Sequence, residues 1–419
     1  TTVQFELFAK LVETGAHLGV AIDRADPQYS PAPRPDIRKM NHPLGVVAIF
    51  AASNFPLAFS VAGGDAASAI AAGNPIVAKA HPSHPNTCAT IERAIKSALI
   101  KCGLSPDSYS IVQGINPEIT HWIAAHPSVT SIGFTGSGMV GKLLTDISHK
   151  RAVPIPVYAE MGSLNPVFFT PGALKANAEA LAKAAMDSAT LGSGQFCTKP
   201  GILVIPNGAE GDEFLKHLES YLATLAVAPL LNKGIADRYS SATAKLVIDS
   251  KLKVFKGKET EGGFGVEPTV FVVDWEVAKS NHELLEEHFG PTSVVIRTDF
   301  ANFEKVAEEM EGQLCAALHA VSGENVSRLL NTLEDRAGRV IMNGFPTAVA
   351  VTAAMQHGGQ WPSSSTHTTS VGLDSIYRFL RPVAHQNYLD ELLPPSLQNS
   401  NPWNISRLVN GELTNKAIG

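Results

Sequence analysis

Residues 44–79 carry the clearest structural pattern of this chain: LGVVAIFAASNFPLAFSVAGGDAASAIAAGNPIVAK. The two apolar ends of this stretch predict buried strands, and the alanine-rich part between them predicts a helix over about 58–72. The alternation continues with a predicted helix over 86–102 and predicted strands at 109–113 and 130–135. Because such alternation builds parallel sheets covered on both faces, the sequence predicts an α/β fold.

One part of this stretch also has the length of a membrane span. Residues 43–64 contain no charged side chain. Asn54 and Pro56 interrupt the apolar run, however, so we interpret it as a strand, a loop and the start of a buried helix.

Composition narrows the functional classes. The chain has 419 residues, 44% of them hydrophobic, and 33 basic against 39 acidic side chains give a net charge of −6. This balance predicts no nucleic-acid partner, and the scattered basic residues predict no membrane partner. The four cysteines lie far apart without metal-ligand spacing, which predicts no metal, no disulfide framework and a reducing, cytoplasmic location. Thr1 falls inside a helical pattern, which suggests that the true N-terminus is missing.

The second half has its own alternating region. A long alanine-rich helix is predicted over about 173–191, and strands and helices alternate again from 201 to about 344. The tail beyond Pro382 has no strong periodicity and suggests an arm. We therefore predict a cofactor domain at 1–162, a catalytic domain at 163–382 and an oligomerisation segment at 383–419, with 33–41 as a further oligomerisation strand.

One cysteine has the context of a nucleophile. Cys88, Cys102 and Cys315 fit apolar patterns and are interpreted as core residues. Cys197 instead follows the turn Gly194-Gln195-Phe196. A thiol placed there faces a cleft, and its own backbone N–H can stabilise an oxyanion.

Other motifs allow two interpretations each. Residues 136–141 form a G-x-G-x-x-G pattern after a strand, with Glu160 about 20 residues later; they fit either dinucleotide binding or close helix–strand packing. Asn54 fits an oxyanion donor or a helix cap. Lys79, at a strand end, fits a ligand contact or a solvated side chain. Glu287 and Phe289 fit a cofactor contact or an ordinary helix end.

Taken together, these segments resemble the aldehyde dehydrogenase superfamily along nearly the whole chain. Four further segments resemble its branch of α-ketoglutaric semialdehyde (2,5-dioxovalerate) dehydrogenases, which includes a long-chain aldehyde dehydrogenase: residues 79–82, 195–198, 343–347 and 378–383. The resemblance implies about a hundred further residues before Thr1. The sequence departs from the family pattern at two places. Met161-Gly162-Ser163 follows Glu160 where Leu-Gly-Gly is usual, and Lys199 stands where close relatives are expected to have a neutral polar residue.

The resemblance implies specific roles. Cys197 would be the nucleophile, Glu160 the general base instead of a ribose ligand, and Asn54 an oxyanion donor. The implied cofactor contacts are Lys79, His81, Gly136, Ser137, Gly141, Glu287 and Phe289. NAD-preferring relatives tend to carry a glutamate at the position of Pro82, so its absence favours NADP and leaves NAD open.

The sequence does not decide which aldehyde is the substrate or which oligomer the protein forms. A semialdehyde that carries a carboxylate needs a cationic anchor, for which Lys199 is a candidate, whereas a long-chain aldehyde needs an apolar funnel. Phe196, Phe345 and Trp361 could line such a funnel. A cysteine hydrolase or acyltransferase and a non-catalytic dehydrogenase-like protein are the alternatives. The resemblance also implies a small-molecule aldehyde substrate and a homodimer or homotetramer.

Overall fold

The computed structural model describes residues 1–418. Its strands are β1 (Ala21–Asp23), β2 (Ile37–Pro43), β3 (Val46–Phe50), β4 (Ile76–Lys79), β5 (Tyr109–Val112), β6 (Val129–Thr135), β7 (Val157–Glu160), β8 (Val167–Phe169), β9 (Ile202–Pro206), β10 (Lys253–Lys256), β11 (Thr269–Asp274), β12 (Thr292–Thr298), β13 (Gln313–His319), β14 (Ala337–Met342), β15 (Leu380–Gln386), β16 (Arg407–Val409) and β17 (Glu412–Thr414).

The helices alternate with these strands. They are α1 (Thr2–Thr14), α2 (Gly64–Ala71), α3 (Pro85–Lys101), α4 (Pro117–Ala125), α5 (Gly138–His149), α6 (Pro171–Thr190), α7 (Ala209–Leu222), α8 (Lys233–Val247), α9 (Trp275–Ala278), α10 (Phe303–Glu309) and α11 (Ser327–Arg336). Within residues 1–418, none of them combines the length and apolar content needed to cross a membrane.

Three sheets organise the chain. The first has the order β5-β4-β3-β6-β7, and all its neighbouring strands are parallel. The second has the order β10-β11-β12-β9-β8-β13-β14 and is parallel except for the β10–β11 pair. The predicted parallel α/β architecture is therefore confirmed. The third sheet, β15-β2-β1-β16-β17, joins the tail to the segment around residues 37–43.

The first sheet brings the predicted site residues to one edge. From β3 the chain adds β4 and β5 on one side of the sheet and then β6 and β7 on the other, so the topological switch point lies between β3 and β6. Ligands of open α/β sheets bind at the carboxyl ends of strands near such a point. Asn54 follows β3, Lys79 ends β4, Gly136 follows β6, and Glu160 ends β7. Sequence motifs far apart in the chain thus share one edge.

Three local expectations were wrong. The helix predicted over 58–72 begins only at Gly64, because the preceding segment closes a loop in which Ala52 N donates to Phe59 O at 3.0 Å. Its N-cap is Gly63, so the interpretation of Asn54 as a helix cap also fails. Cys102 is exposed, since α3 ends at Lys101 and Cys102 lies in the turn that follows. Cys88 and Cys315 are buried, as predicted.

Candidate active site

A buried asparagine holds the loop of residues 195–199, which is called the nucleophile loop because Cys197 is the predicted nucleophile. Cys197 lies between a short 3₁₀ turn at Leu191–Gly194 and β9, and it is partly exposed. The amide of Asn165, which is fully buried, donates to the carbonyls of Cys197 at 2.8 Å and of Lys199 at 2.9 Å. These bonds fix the backbone on both sides of Thr198.

Gly194 allows this loop to pass close to another one. Its φ of 68° lies in the left-handed region, and a Cβ built there would fall 2.1 Å from the carbonyl oxygen of Gly290. A side chain would therefore be strained and would separate the two loops. The close approach brings the nucleophile loop against the segment that carries Glu287 and Phe289.

Two N–H groups, one on the Asn54 side chain and one on the Cys197 backbone, are available as hydrogen-bond donors at the Cys197 loop. Asn54 Nδ2 donates one of its two N–H groups to Gln195 O at 2.8 Å, which leaves the other available. Within residues 1–418, the backbone N–H of Cys197 has no hydrogen-bond acceptor. The arrangement can therefore stabilise negative charge on an oxygen bound next to the sulfur.

A histidine that the motifs did not reveal joins the thiol to Glu160. His357 Nε2 lies 3.5 Å from Cys197 Sγ and 2.9 Å from Glu160 Oε1. His357 and Glu160 are both buried, and Ser370 Oγ donates to Glu160 Oε2 at 2.5 Å. The carboxylate is thus fixed by two partners next to the sulfur.

An irregular segment between β14 and β15 places His357 and Ser370 beside Glu160. Between β14 and β15, the chain adds to the free edge of β7 through Met161 N to Ser363 O at 2.8 Å and Ser365 N to Ala159 O at 3.0 Å. This segment has no helical or strand period, so the sequence carried no local signal for His357.

The three groups perturb one another's ionisation. Burial alone would raise the pKa of Glu160, but the charge of His357 and the hydrogen bonds from His357 and Ser370 outweigh it and lower that pKa. Burial alone would lower the pKa of His357, but the Glu160 carboxylate raises it well above its usual value. Burial and the Glu160 charge raise the pKa of Cys197 to about 11. The resting site is therefore a thiol beside a carboxylate–imidazolium pair.

The same trio offers metal ligands. The sulfur, imidazole and carboxylate atoms of Cys197, His357 and Glu160 all lie within 4.8 Å of one another, and zinc accepts these three donor types. The sequence predicted no metal because its four cysteines show no metal-ligand spacing, whereas these three groups come together only in the folded chain.

The predicted cofactor residues line the neighbouring edge. Gly136, Ser137 and Gly138 are exposed at the start of α5, whose first turn has no side-chain cap, so the backbone N–H groups of Gly138 and Met139 are free to bind a phosphate. Gly141 is buried because the Met161 side chain packs on it. These residues fit a dinucleotide.

Lys79, at the end of β4, and His81, in the loop that follows, are both partly buried. Burial lowers the pKa of Lys79 and, with the nearby charges of His84 and Lys79, lowers that of His81 to about 4. His81 is therefore neutral at pH 7 and can offer a ligand a hydrogen bond but no positive charge.

The predicted substrate residues separate into two groups. Phe196 stacks edge-on against Phe55 with ring centroids 5.0 Å apart, beside the nucleophile. Phe345 packs against Phe169 and His319 in the core of the second sheet, and Trp361 is exposed. Lys199 is buried, and its ammonium donates to the carbonyls of His288 and Thr292. It is therefore not free to anchor a substrate carboxylate.

Comparison with known proteins agrees with this geometry. The aldehyde dehydrogenase family matches residues 6–382, so the chain belongs to that family and is an NAD(P)-dependent aldehyde oxidoreductase.

Two curated relatives share most of the chain. "Alpha-ketoglutaric semialdehyde dehydrogenase 2" of Azospirillum brasilense is 42% identical over 98% of this chain and 79% of its own length. "Alpha-ketoglutaric semialdehyde dehydrogenase" of Acinetobacter baylyi is 40% identical over 99% and 79%. Among solved structures, glyceraldehyde-3-phosphate dehydrogenase GapN of Methanocaldococcus jannaschii, complexed with NADP, has the same fold. Its TM-score is 0.75 at 21% identity, over 91% of this chain and 79% of that one.

Proposed function

We propose that this protein oxidises α-ketoglutaric semialdehyde (2,5-dioxopentanoate) to 2-oxoglutarate with NADP, through a thioester on Cys197. The contact of Cys197 Sγ, His357 Nε2 and Glu160 Oε1 supports the chemistry. The names of the two relatives at 40% and 42% identity support the substrate.

The first step needs a proton acceptor, since the thiol is protonated at rest. Glu160 is ionised and its carboxylate lies within 4.8 Å of the sulfur, so it takes the proton, and the imidazolium of His357 then faces the thiolate. The thiolate attacks the aldehyde carbon, and the oxygen that becomes negative accepts hydrogen bonds from the Asn54 amide and the Cys197 N–H.

A bound NADP would supply the acceptor for the hydride of that carbon, and loss of the hydride would leave an acyl thioester on Cys197. Lys79, His81, Gly136, Ser137, Gly141, Glu287 and Phe289 are the residues proposed to hold it. Glu160, after releasing its first proton to solvent, takes a proton from the water that attacks the thioester. The carbon–sulfur bond breaks, and the carboxylic acid leaves.

A second substrate class is favoured by one observation. Phe55, Phe59 and Phe196 form an aromatic cluster next to the nucleophile and Asn54, which suits the apolar tail of a long-chain aldehyde. An assay of NADPH formation with 2,5-dioxopentanoate, succinic semialdehyde and a C10–C14 aldehyde series tests both proposals. Preference for the long-chain series would reject the semialdehyde, and no activity with any aldehyde would reject the function.

The assembly and domains are part of the same proposal. We propose the boundaries 1–162, 163–382 and 383–419, with the third sheet as the contact surface of a homodimer or homotetramer. All strands of the first sheet precede residue 162, and those of the second lie between 167 and 342, which supports the division. The four free cysteines support a cytoplasmic location. Light scattering of the purified protein measures the oligomer.

A further inference from the structure

Lys199 is a buried cation two residues after the nucleophile. Its exposed fraction is 2%. Burying an ammonium group is costly unless its N–H groups are satisfied, so its partners indicate what it stabilises. Nζ donates to His288 O at 3.1 Å and to Thr292 O at 2.6 Å. These carbonyls lie at the two ends of the turn at 288–292, and the ammonium bridges them.

The bridge fixes this turn to the nucleophile loop. The backbone of Lys199 is itself held by Asn165, which also holds the carbonyl of Cys197. On the other side of the loop, Gly194 lies against Gly290 in the middle of the turn. The turn is therefore attached to the Cys197 loop at both its ends and its middle.

Glu287 directly precedes this turn and lies close to Gly162 and Lys199. A Cβ built on Gly162 would fall 2.4 Å from Glu287 Oε2, so the carboxylate lies against the backbone next to Glu160. Burial raises the pKa of Glu287 to about 7, opposed by the positive charge of Lys199 and by a hydrogen bond from the Ser163 backbone. Within residues 1–418 no ion pair within 4.0 Å joins Lys199 to Glu287, so the ammonium acts through its field and through the turn.

We infer that Lys199 is a positioning residue for cofactor binding: it holds the 287–292 segment against the nucleophile loop and keeps Glu287 as a carboxylate that accepts hydrogen bonds from ribose hydroxyls. This inference rests on the proposed function, because it needs Glu287 to contact the cofactor. Without the ammonium, a larger fraction of Glu287 is protonated at pH 7 and its turn is no longer bridged, so cofactor affinity falls while the thiol chemistry remains.

The test measures NADPH affinity by fluorescence titration in the wild type and in Lys199→Met, Lys199→Gln and Lys199→Arg. Lys175→Met, at an exposed position on α6, is the matched control. We expect the Met and Gln variants to bind NADPH at least about tenfold more weakly, the size of one lost charge-assisted hydrogen bond. At saturating cofactor, kcat stays within about threefold of the wild type, and Arg restores part of the affinity because it keeps the charge.

A double-mutant cycle separates a specific role from a structural one. Glu287→Gln lowers affinity by itself, and adding Lys199→Met to it is expected to cost much less than in the wild type, because both changes remove the same interaction. Wild-type NADPH affinity in a folded Met or Gln variant overturns the inference. So does failure of all three variants to fold, which assigns Lys199 to folding alone. If the wild type neither binds NADPH nor reduces NADP, the proposed function fails instead.

Discussion

Cys197 and His357 are 160 residues apart in the chain, yet Sγ of the one lies 3.5 Å from Nε2 of the other. The same nitrogen lies 2.9 Å from Glu160 Oε1. One imidazole thus contacts both the group proposed to attack the aldehyde and the group proposed to activate water, so it can influence acylation and deacylation alike.

His357→Gln tests this double contact. The glutamine can still hydrogen-bond to Glu160 but carries no charge, so the pKa of Glu160 is expected to rise and the thiolate to lose its facing cation. We expect kcat at pH 7 to fall by about 10²-fold, at the lower end of the effect of an acid–base group. The measurement is the pH profile of kcat, whose acidic limb should move to higher pH. An unchanged profile would assign His357 to packing.

Glu160→Gln separates the two interpretations of this residue. If Glu160 activates water, the first turnover of NADPH is slowed, because the thiol also loses its proton acceptor, but it still occurs, and steady-state kcat then falls by about 10²–10⁴-fold as the thioester accumulates. Rapid-mixing absorbance should therefore show a burst, and intact-mass spectrometry should show the acyl group on Cys197. A raised KM for NADP with no trapped thioester would support the ribose-ligand interpretation.

Asn54→Ala removes the side-chain donor from the oxyanion site. We expect kcat to fall by about 10²–10³-fold, the usual effect of losing one such donor. Because Asn54 also donates to Gln195 O, loop displacement has to be excluded. Asn54→Asp keeps the shape and loses the donors, so it should be at least as inactive; an active Asp variant would contradict the assignment.

The pKa of about 11 for Cys197 predicts how its reactivity depends on pH. Only the thiolate reacts with iodoacetamide, and its fraction rises tenfold per pH unit below the pKa, so alkylation without cofactor should accelerate about tenfold per unit from pH 7 to 10. Peptide mapping separates Cys197 from the exposed Cys102. A plateau in the rate below pH 8 would show that the imidazolium of His357 stabilises a resting thiolate.

How far the sequence could predict this site follows from where each residue lies. Cys197 and Glu160 stand in short motifs at a turn and at a strand end, so local patterns revealed them. His357 lies in an irregular segment, and it reaches the site only because residues 363–365 pair with β7. The buried contacts of Lys199 likewise depend on a turn about 90 residues away. Such contacts arise from tertiary packing, which has no period in the sequence.

Pro82→Glu tests the choice of cofactor. The residue is exposed three positions after Lys79, beyond the end of β4. A carboxylate there would repel the 2′-phosphate of NADP and could accept hydrogen bonds from the two hydroxyls of NAD. We expect the ratio of kcat/KM for NADP to that for NAD to fall at least about tenfold, the effect of roughly 1.4 kcal/mol. Pro82→Gln is the neutral control and should shift the ratio much less. If Glu and Gln change the ratio equally, charge repulsion is not what selects the cofactor, and the loop backbone released by removing the proline is responsible instead.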